Sequence, residues 1–135
     1  ISDTTSVVSN VLFFDRDLDA QELGGELTWS PPSDVSLVTH YVSYLAASAA
    51  GSSRSLVSRE VASGTNGTVV VADTSFSPYI LVYAKSLLAE QTTPSAINIS
   101  DTSASVSALA FVDKDLDAYE IGGAMSWTEP ADVAL

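Results

Sequence analysis

The sequence predicts an all-β chain, an antiparallel β-sandwich in tandem repeats of 98 residues. Three observations carry that expectation. Short runs rich in β-branched and aromatic residues recur between turn signals, no convincing amphipathic helix is found, and the chain contains its own beginning twice. Ile1-Ser2-Asp3-Thr4 returns as Ile99-Ser100-Asp101-Thr102. Phe13-Phe14-Asp15-Arg16-Asp17-Leu18-Asp19 returns as Phe111-Val112-Asp113-Lys114-Asp115-Leu116-Asp117. Since 99 − 1 and 113 − 15 both give 98, the copies align without a gap. A fixed period marks an array of like units. Residues 1–98 are expected to form one complete repeat, and 99–135 the first part of the next, strands A and B. Ending mid-pattern at Leu135, the chain reads as a window onto a longer polymer.

Within the first repeat, Val7 to Phe14 reads as a strand. Glu26-Leu27-Thr28-Trp29 alternates before the Pro31-Pro32 stop, and His40 to Leu45 alternates again, with Tyr41 and Val42 opening opposite faces. Ser55 to Val61 reads as an edge strand, because Arg54, Arg59 and Glu60 suit a core poorly. Thr65-Asn66-Gly67-Thr68 is a tight-turn signal, since Asn-Gly tolerates the positive φ angles of a type I′ turn. Strands follow at Thr68 to Ala72, Tyr79 to Ser86 and Ala96 to Ser100, while the small-residue stretch Ala46 to Ser53 reads as a loop.

Trp29-Ser30-Pro31-Pro32, Tyr41-x-x-Tyr44 and Tyr79-x-Leu81-x-Tyr83-Ala84 together resemble a fibronectin type III domain, one of the immunoglobulin-like sandwiches. The resemblance covers about one repeat, and the second copy keeps its beginning as Trp127-Thr128-Glu129-Pro130. It implies a strand-B Trp, a Tyr opening strand C and a strand-F Tyr run. In function it implies binding, spacing or adhesion, with no particular chemistry. One departure is clear: the family's A–B connection is short, whereas here it holds an acidic loop.

Formal charge is −12, from 17 acidic against 5 basic residues, which argues against nucleic acid or an anionic membrane as partner. With no Cys, neither a disulfide framework nor a thiolate metal site is possible. No apolar run reaches transmembrane length. The acid is clustered. The loop Asp15 to Gly25 and its copy Asp113 to Gly123 place carboxylates at alternate positions, Asp15, Asp17, Asp19 and Asp113, Asp115, Asp117. Ca²⁺ takes six to eight oxygens at flexible geometry, and such spacing supplies three. Glu22 and Glu120 add a fourth carboxylate, and the backbone carbonyls of Gln21 and Tyr119 suit a position where the side chain varies. Mg²⁺, which keeps more water, fits less well. The loop is not an EF-hand: Ala20 and Ala118 stand where that motif needs Gly, and its last ligand position holds Glu26 in one copy but Ala124 in the other. The bland reading is a solvated acidic turn with Arg16 and Lys114 as counter-ions. Asp34 and Asp132 read equally well as distal ligands or turn formers.

Asn66-Gly67-Thr68 and Asn98-Ile99-Ser100 are N-glycosylation patterns, at an expected hairpin tip and at the repeat junction. His40, the only histidine, reads as a strand-edge residue, and no Gly-x-Ser-x-Gly elbow exists, so an enzyme is not expected. The functional expectation is an extracellular or cell-surface structural glycoprotein: the repeat of a fibre, filament or cell-adhesion shaft, rigidified by Ca²⁺. Its partners are neighbouring copies, head to tail, through covalent continuation in preference to strand exchange. The rival is a carbohydrate- or ligand-binding accessory module. It is weakened because Trp29, Tyr41, Tyr44, Tyr79 and Tyr83 fall mostly at core-like positions.

Overall fold

Alternation along β2 (Glu22–Ser30) sets one side of the core: Leu23, Leu27 and Trp29 are buried while Glu26 and Thr28 face solvent. In the computed structural model, which describes residues 1–131, β2 pairs antiparallel with β1 (Ser9–Phe13) and β6 (Gly67–Ser75) in a sheet of order β1-β2-β6. The second sheet centres on β3 (His40–Ala46) and β7 (Tyr79–Lys85), paired from His40–Lys85 to Ala46–Tyr79. It is completed by β4 (Ser55–Leu56) and β5 (Val61–Ala62) on one side of β3, and β8 (Ser95–Asn98) beyond β7. Val11, Leu23, Leu27, Trp29 and Val70 from the first sheet pack with Tyr41, Leu45, Ile80, Val82 and Ala84 from the second. The result is an all-β, antiparallel, sandwich-like unit spanning Ile1–Thr102.

A second unit begins at Ser103 and contains β9 (Ser107–Phe111) and β10 (Met125–Thr128), an antiparallel pair. All its strand residues are exposed, Leu109, Phe111, Met125 and Trp127 among them. The unit boundary falls after Thr102, four residues past the sequence expectation, because Ile99 is buried in the first unit with its N–H on Pro78 O at 2.9 Å. Asp132 and Leu135 lie outside the described residues. Among the described residues no helix is long and apolar enough to cross a membrane.

Three local expectations change. The tight turn closes earlier than Thr65–Thr68: Thr65 N–H donates to Ala62 O at 3.0 Å, with Gly64 at φ 99°. Gly67 already pairs with Thr28 in β6. Its glycine answers a close approach, since a Cβ there would lie 2.9 Å from Leu27 O. The edge strand expected over Ser55–Val61 is two short pieces, β4 and β5, each paired with β3. The aromatics divide between faces. Trp29 and Tyr41 meet edge-to-face in the core at 5.6 Å, whereas Tyr44, Tyr79 and Tyr83 pack on the opposite face of the second sheet.

Candidate metal centre

The acidic loop closes upon itself through Asp15. Its Oδ1 accepts the N–H of Asp17 at 3.1 Å and of Gly24 at 3.0 Å, while Arg16 N–H reaches Gly24 O at 2.7 Å. Asp17 Oδ1 then accepts Asp19 N–H at 3.0 Å, and Asp19 O accepts Glu22 N–H at 3.3 Å. Asp15 and Asp17 thus each hold the backbone two residues on with a short side chain, which curls the chain without regular structure, and the bonds to Gly24 close the curl. Gln21 finishes the curl at φ 69° and lets Glu22 start β2.

This winding brings Asp17, Asp19 and Glu22 together with Asp73 of β6, their ligand oxygens all within 4.8 Å of one another. Asp73 was not expected. It adopts φ 62°, and its N–H donates to Asp17 Oδ2 at 2.8 Å, tying loop to neighbouring strand. A lone Asp 56 residues from Asp17 carries no local signal, and only the β2–β6 register places it there. Asp15 stands outside the group: it is 5% exposed, and its Oδ2 accepts Thr102 N–H at 2.8 Å. The Gln21 carbonyl accepts Phe76 N–H at 2.9 Å, and the Gln21 N–H donates to Asp101 Oδ2 at 2.9 Å.

The two signs of pKa shift describe the field. Backbone N–H groups of Asp73 and Asp19 hold Asp17 below the usual carboxylate range. Glu22 is pushed up, first by desolvation and then by the negative charges of Asp73, Asp19, Asp17 and Asp101. Arg16 does not neutralise this group: it lines a groove with Leu12, Phe14, Glu26 and Thr28. Among the described residues the ion pairs are Arg54–Glu90 at 2.9 Å and Lys85–Glu60 at 2.7 Å, both elsewhere.

The second copy repeats the winding. Asp113 Oδ1 accepts Asp115 and Gly122 N–H at 3.0 Å each, Asp115 Oδ1 accepts Asp117 N–H at 2.8 Å, and Tyr119 has φ 68°. The N–H groups of Gly122 and Asp115 depress the Asp113 carboxyl. Asp115, Asp117 and Glu120 gather as Asp17, Asp19 and Glu22 do.

Asp34 is held as a turn former in the β2–β3 loop, its Oδ1 accepting Ser36 N–H at 2.9 Å, at the end of β2 away from the acidic loop. Of the glycosylation candidates, Asn98 is exposed at the end of β8. Asn66 is half-buried with Oδ1 enclosed, and the hydroxyl of Thr68 is shared with Ser58 Oγ at 2.7 Å. The chain matches no protein-family model, no curated protein and no solved structure.

Proposed function

We propose that this chain is an extracellular structural repeat, a fibronectin type III-like sandwich of a fibre, filament or adhesin shaft, stiffened by Ca²⁺ at each acidic loop and glycosylated at Asn98. The observation that carries the reading is the four-carboxylate group Asp17, Asp19, Glu22 and Asp73, drawn from two strands and a loop and lacking a basic partner among the described residues. Like charges held this close repel, and a divalent cation with oxygen preference is the simplest compensation. The sheet orders β1-β2-β6 and β4-β3-β7-β8 fit the family resemblance. The place of the loop supports a junction role, because Asp15 and Gln21 hold the segment Asp101–Thr102 by which the first unit ends.

The accessory-module reading draws on Tyr44 and Tyr79, half-buried on the outer face. It is weakened because Arg54 already lies 4.2 Å above the Tyr44 ring and 5.0 Å above Tyr83, pinned by Glu90. Thermal unfolding with calcium chloride and with chelator, beside titration calorimetry, tests the proposal. Ca²⁺ binding with a raised melting temperature is expected. No heat of binding and no shift would overturn it.

A further inference from the structure

A fault in the edge of the second sheet opens a groove on that sheet's outer face. Leu56 of β4 pairs with Tyr44, and Val57 N–H still reaches Ser43 O at 3.0 Å; pairing resumes only at Val61, opposite Tyr41. Ser58, Arg59 and Glu60 therefore pass Val42 outside the ladder, and Ser58 Oγ anchors the detour on Thr68 Oγ1 of β6 at 2.7 Å. The groove beside the detour is open and measures about 460 Å³, within the roughly 300–1,000 Å³ of small-ligand sites. Val42, Tyr44 and Leu56 supply its apolar lining, and Arg59, Glu60, Lys85 and Glu90 its charges. Charge singles the place out. The chain has 5 Lys and Arg residues against 17 acidic ones, and three of the five gather here: Arg59, Lys85 and the neighbouring Arg54. Lys85 is paired with Glu60 at 2.7 Å and Arg54 with Glu90 at 2.9 Å, so 3 − 2 leaves one positive charge. That charge is Arg59, which is exposed and has no ion pair among the described residues.

We propose that this groove binds a saccharide residue bearing a single carboxylate, a hexuronate within an acidic polysaccharide. Arg59 pairs with the carboxylate through its planar fork of donors. Lys85 uses one of its three donors on Glu60 Oε2, and the others serve sugar hydroxyls, for which Glu60 and Glu90 are acceptors. Val42 and Leu56 take the C–H face of the ring. Arg54 already covers the Tyr44 ring at 4.2 Å, so charge selects the ligand in place of aromatic stacking. The two wall carboxylates disfavour a densely charged polyanion and suit one acid group set among hydroxyls. An acidic peptide adding as a strand is the rival occupant. It needs a continuous free edge, and here the edge is two pieces of two residues each. The groove lies on β3 and its edge, whereas the acidic group Asp17, Asp19, Glu22 and Asp73 lies on the other sheet, so this inference goes beyond the calcium reading and does not rest on it.

An NMR titration of the whole 135-residue chain with tetragalacturonate, run in chelator so that neither protein nor saccharide carries Ca²⁺, tests the site. Binding with a dissociation constant of about 1 mM is expected, with amide shifts centred on Val42, Tyr44, Leu56 and Arg59. Arg59→Ala should weaken it by about tenfold, the worth of one hydrogen bond between charged groups, and Arg59→Lys, which keeps the charge and loses the fork, by less. Arg59 is exposed, so neither variant should move the melting temperature. Arg16→Ala, which removes an equal charge elsewhere, should bind as the parent chain does. The methyl ester of the same tetrasaccharide should bind the parent chain no better than the acid binds Arg59→Ala. No shifts at several times the expected dissociation constant, or an ester that binds as well as the acid, overturns the proposal. Poly-glutamate shifting the same residues at lower concentration than tetragalacturonate also overturns it, and gives the groove to acidic polypeptides.

Discussion

The hairpin of β1 and β2 and the hairpin of β9 and β10 carry the same plan in two surroundings. Both place a bulge after the first strand residue, with Asn10 at φ 49° and Ala108 at φ 50°, and both wind the intervening acidic loop with the same hydrogen bonds. Among the described residues only the first is covered by a second sheet. Leu27 and Trp29 are 0% and 5% exposed, while Met125 and Trp127 at the same repeat positions are 59% and 54% exposed. The loop's shape is therefore local, written in Asp–amide contacts within the loop itself, whereas burial and the fourth carboxylate are properties of the first unit. A two-stranded pair alone is marginal in water, which makes the contrast measurable.

The largest difference should come from the paired tryptophans. Trp29→Ala removes a core side chain that meets Tyr41 edge-to-face, and should cost about 3–5 kcal/mol in urea unfolding of the first unit. Trp127→Ala removes an exposed ring and should change that transition by less than about 0.5 kcal/mol. Equal losses would mean that the second hairpin is packed into the same cooperative unit, and the contrast would be broken.

Next in size is the glycine pair that ends each loop. A Cβ on Gly25, at φ 154°, would lie 2.5 Å from Phe14 O, and one on Gly123 would meet Val112 O. Gly25→Ala should therefore destabilise the first unit by about 1 kcal/mol or more, read as a lower urea midpoint at unchanged slope. Gly123→Ala should leave that midpoint in place. A shift of similar size from both would again join the two units.

The loop's local character explains why so much of it was legible. Alternate Asp residues followed by Gly-Gly announce a curled acidic turn, and repetition at a fixed offset marks it as a feature beyond solubility. Strands β2 and β3 were legible through period-two patterning, at Glu26 to Trp29 and at His40 to Leu45. What was not legible depends on pairing across the sheet. Asp73 joins the loop only because β6 lies beside β2. The run Tyr79 to Ala84 is buried on both faces, so alternation could not say whether Tyr79 and Tyr83, which share a face, point into the core or away from it. At the β5–β6 turn two glycines competed, and Gly64 took the positive φ that the Asn66-Gly67 pair predicts.

A third expectation compares the two acidic groups directly. Ca²⁺ should bind the four-carboxylate group more tightly than the group of Asp115, Asp117 and Glu120, giving two calorimetric phases of unequal affinity. Asp73→Asn should merge them by weakening only the tighter phase. Asp17→Asn should weaken that phase and also lower the melting temperature in chelator, because Asp17 accepts the N–H groups of Asp73 and Asp19 with or without metal. A single phase untouched by Asp73→Asn would remove Asp73 from the site.

The smallest effect is a pH dependence of the metal-free protein whose two limbs run in opposite directions. Glu22 is raised above its ordinary 4.5 by desolvation and by its acidic neighbours, so the folded chain holds that proton more tightly than the unfolded one. Its contribution is fully present below 4.5 and is lost as pH rises through the folded value. Asp17 is lowered beneath 3.8 by backbone N–H groups, so its contribution is present above 3.8 and is lost as pH falls through the folded value. Melting temperature in chelator should therefore rise as pH falls from 7 toward 4.5, and drop again at more acid pH. Glu22→Gln should flatten the first limb and raise the metal-free melting temperature at pH 7, while weakening Ca²⁺ binding. The same change at Glu120, which lacks counterparts of Asp73 and Asp101 among the described residues, should move the metal-free curve less. If Glu22→Gln destabilises the metal-free protein at pH 7, the crowding of carboxylates around it is not a cost that a cation needs to relieve.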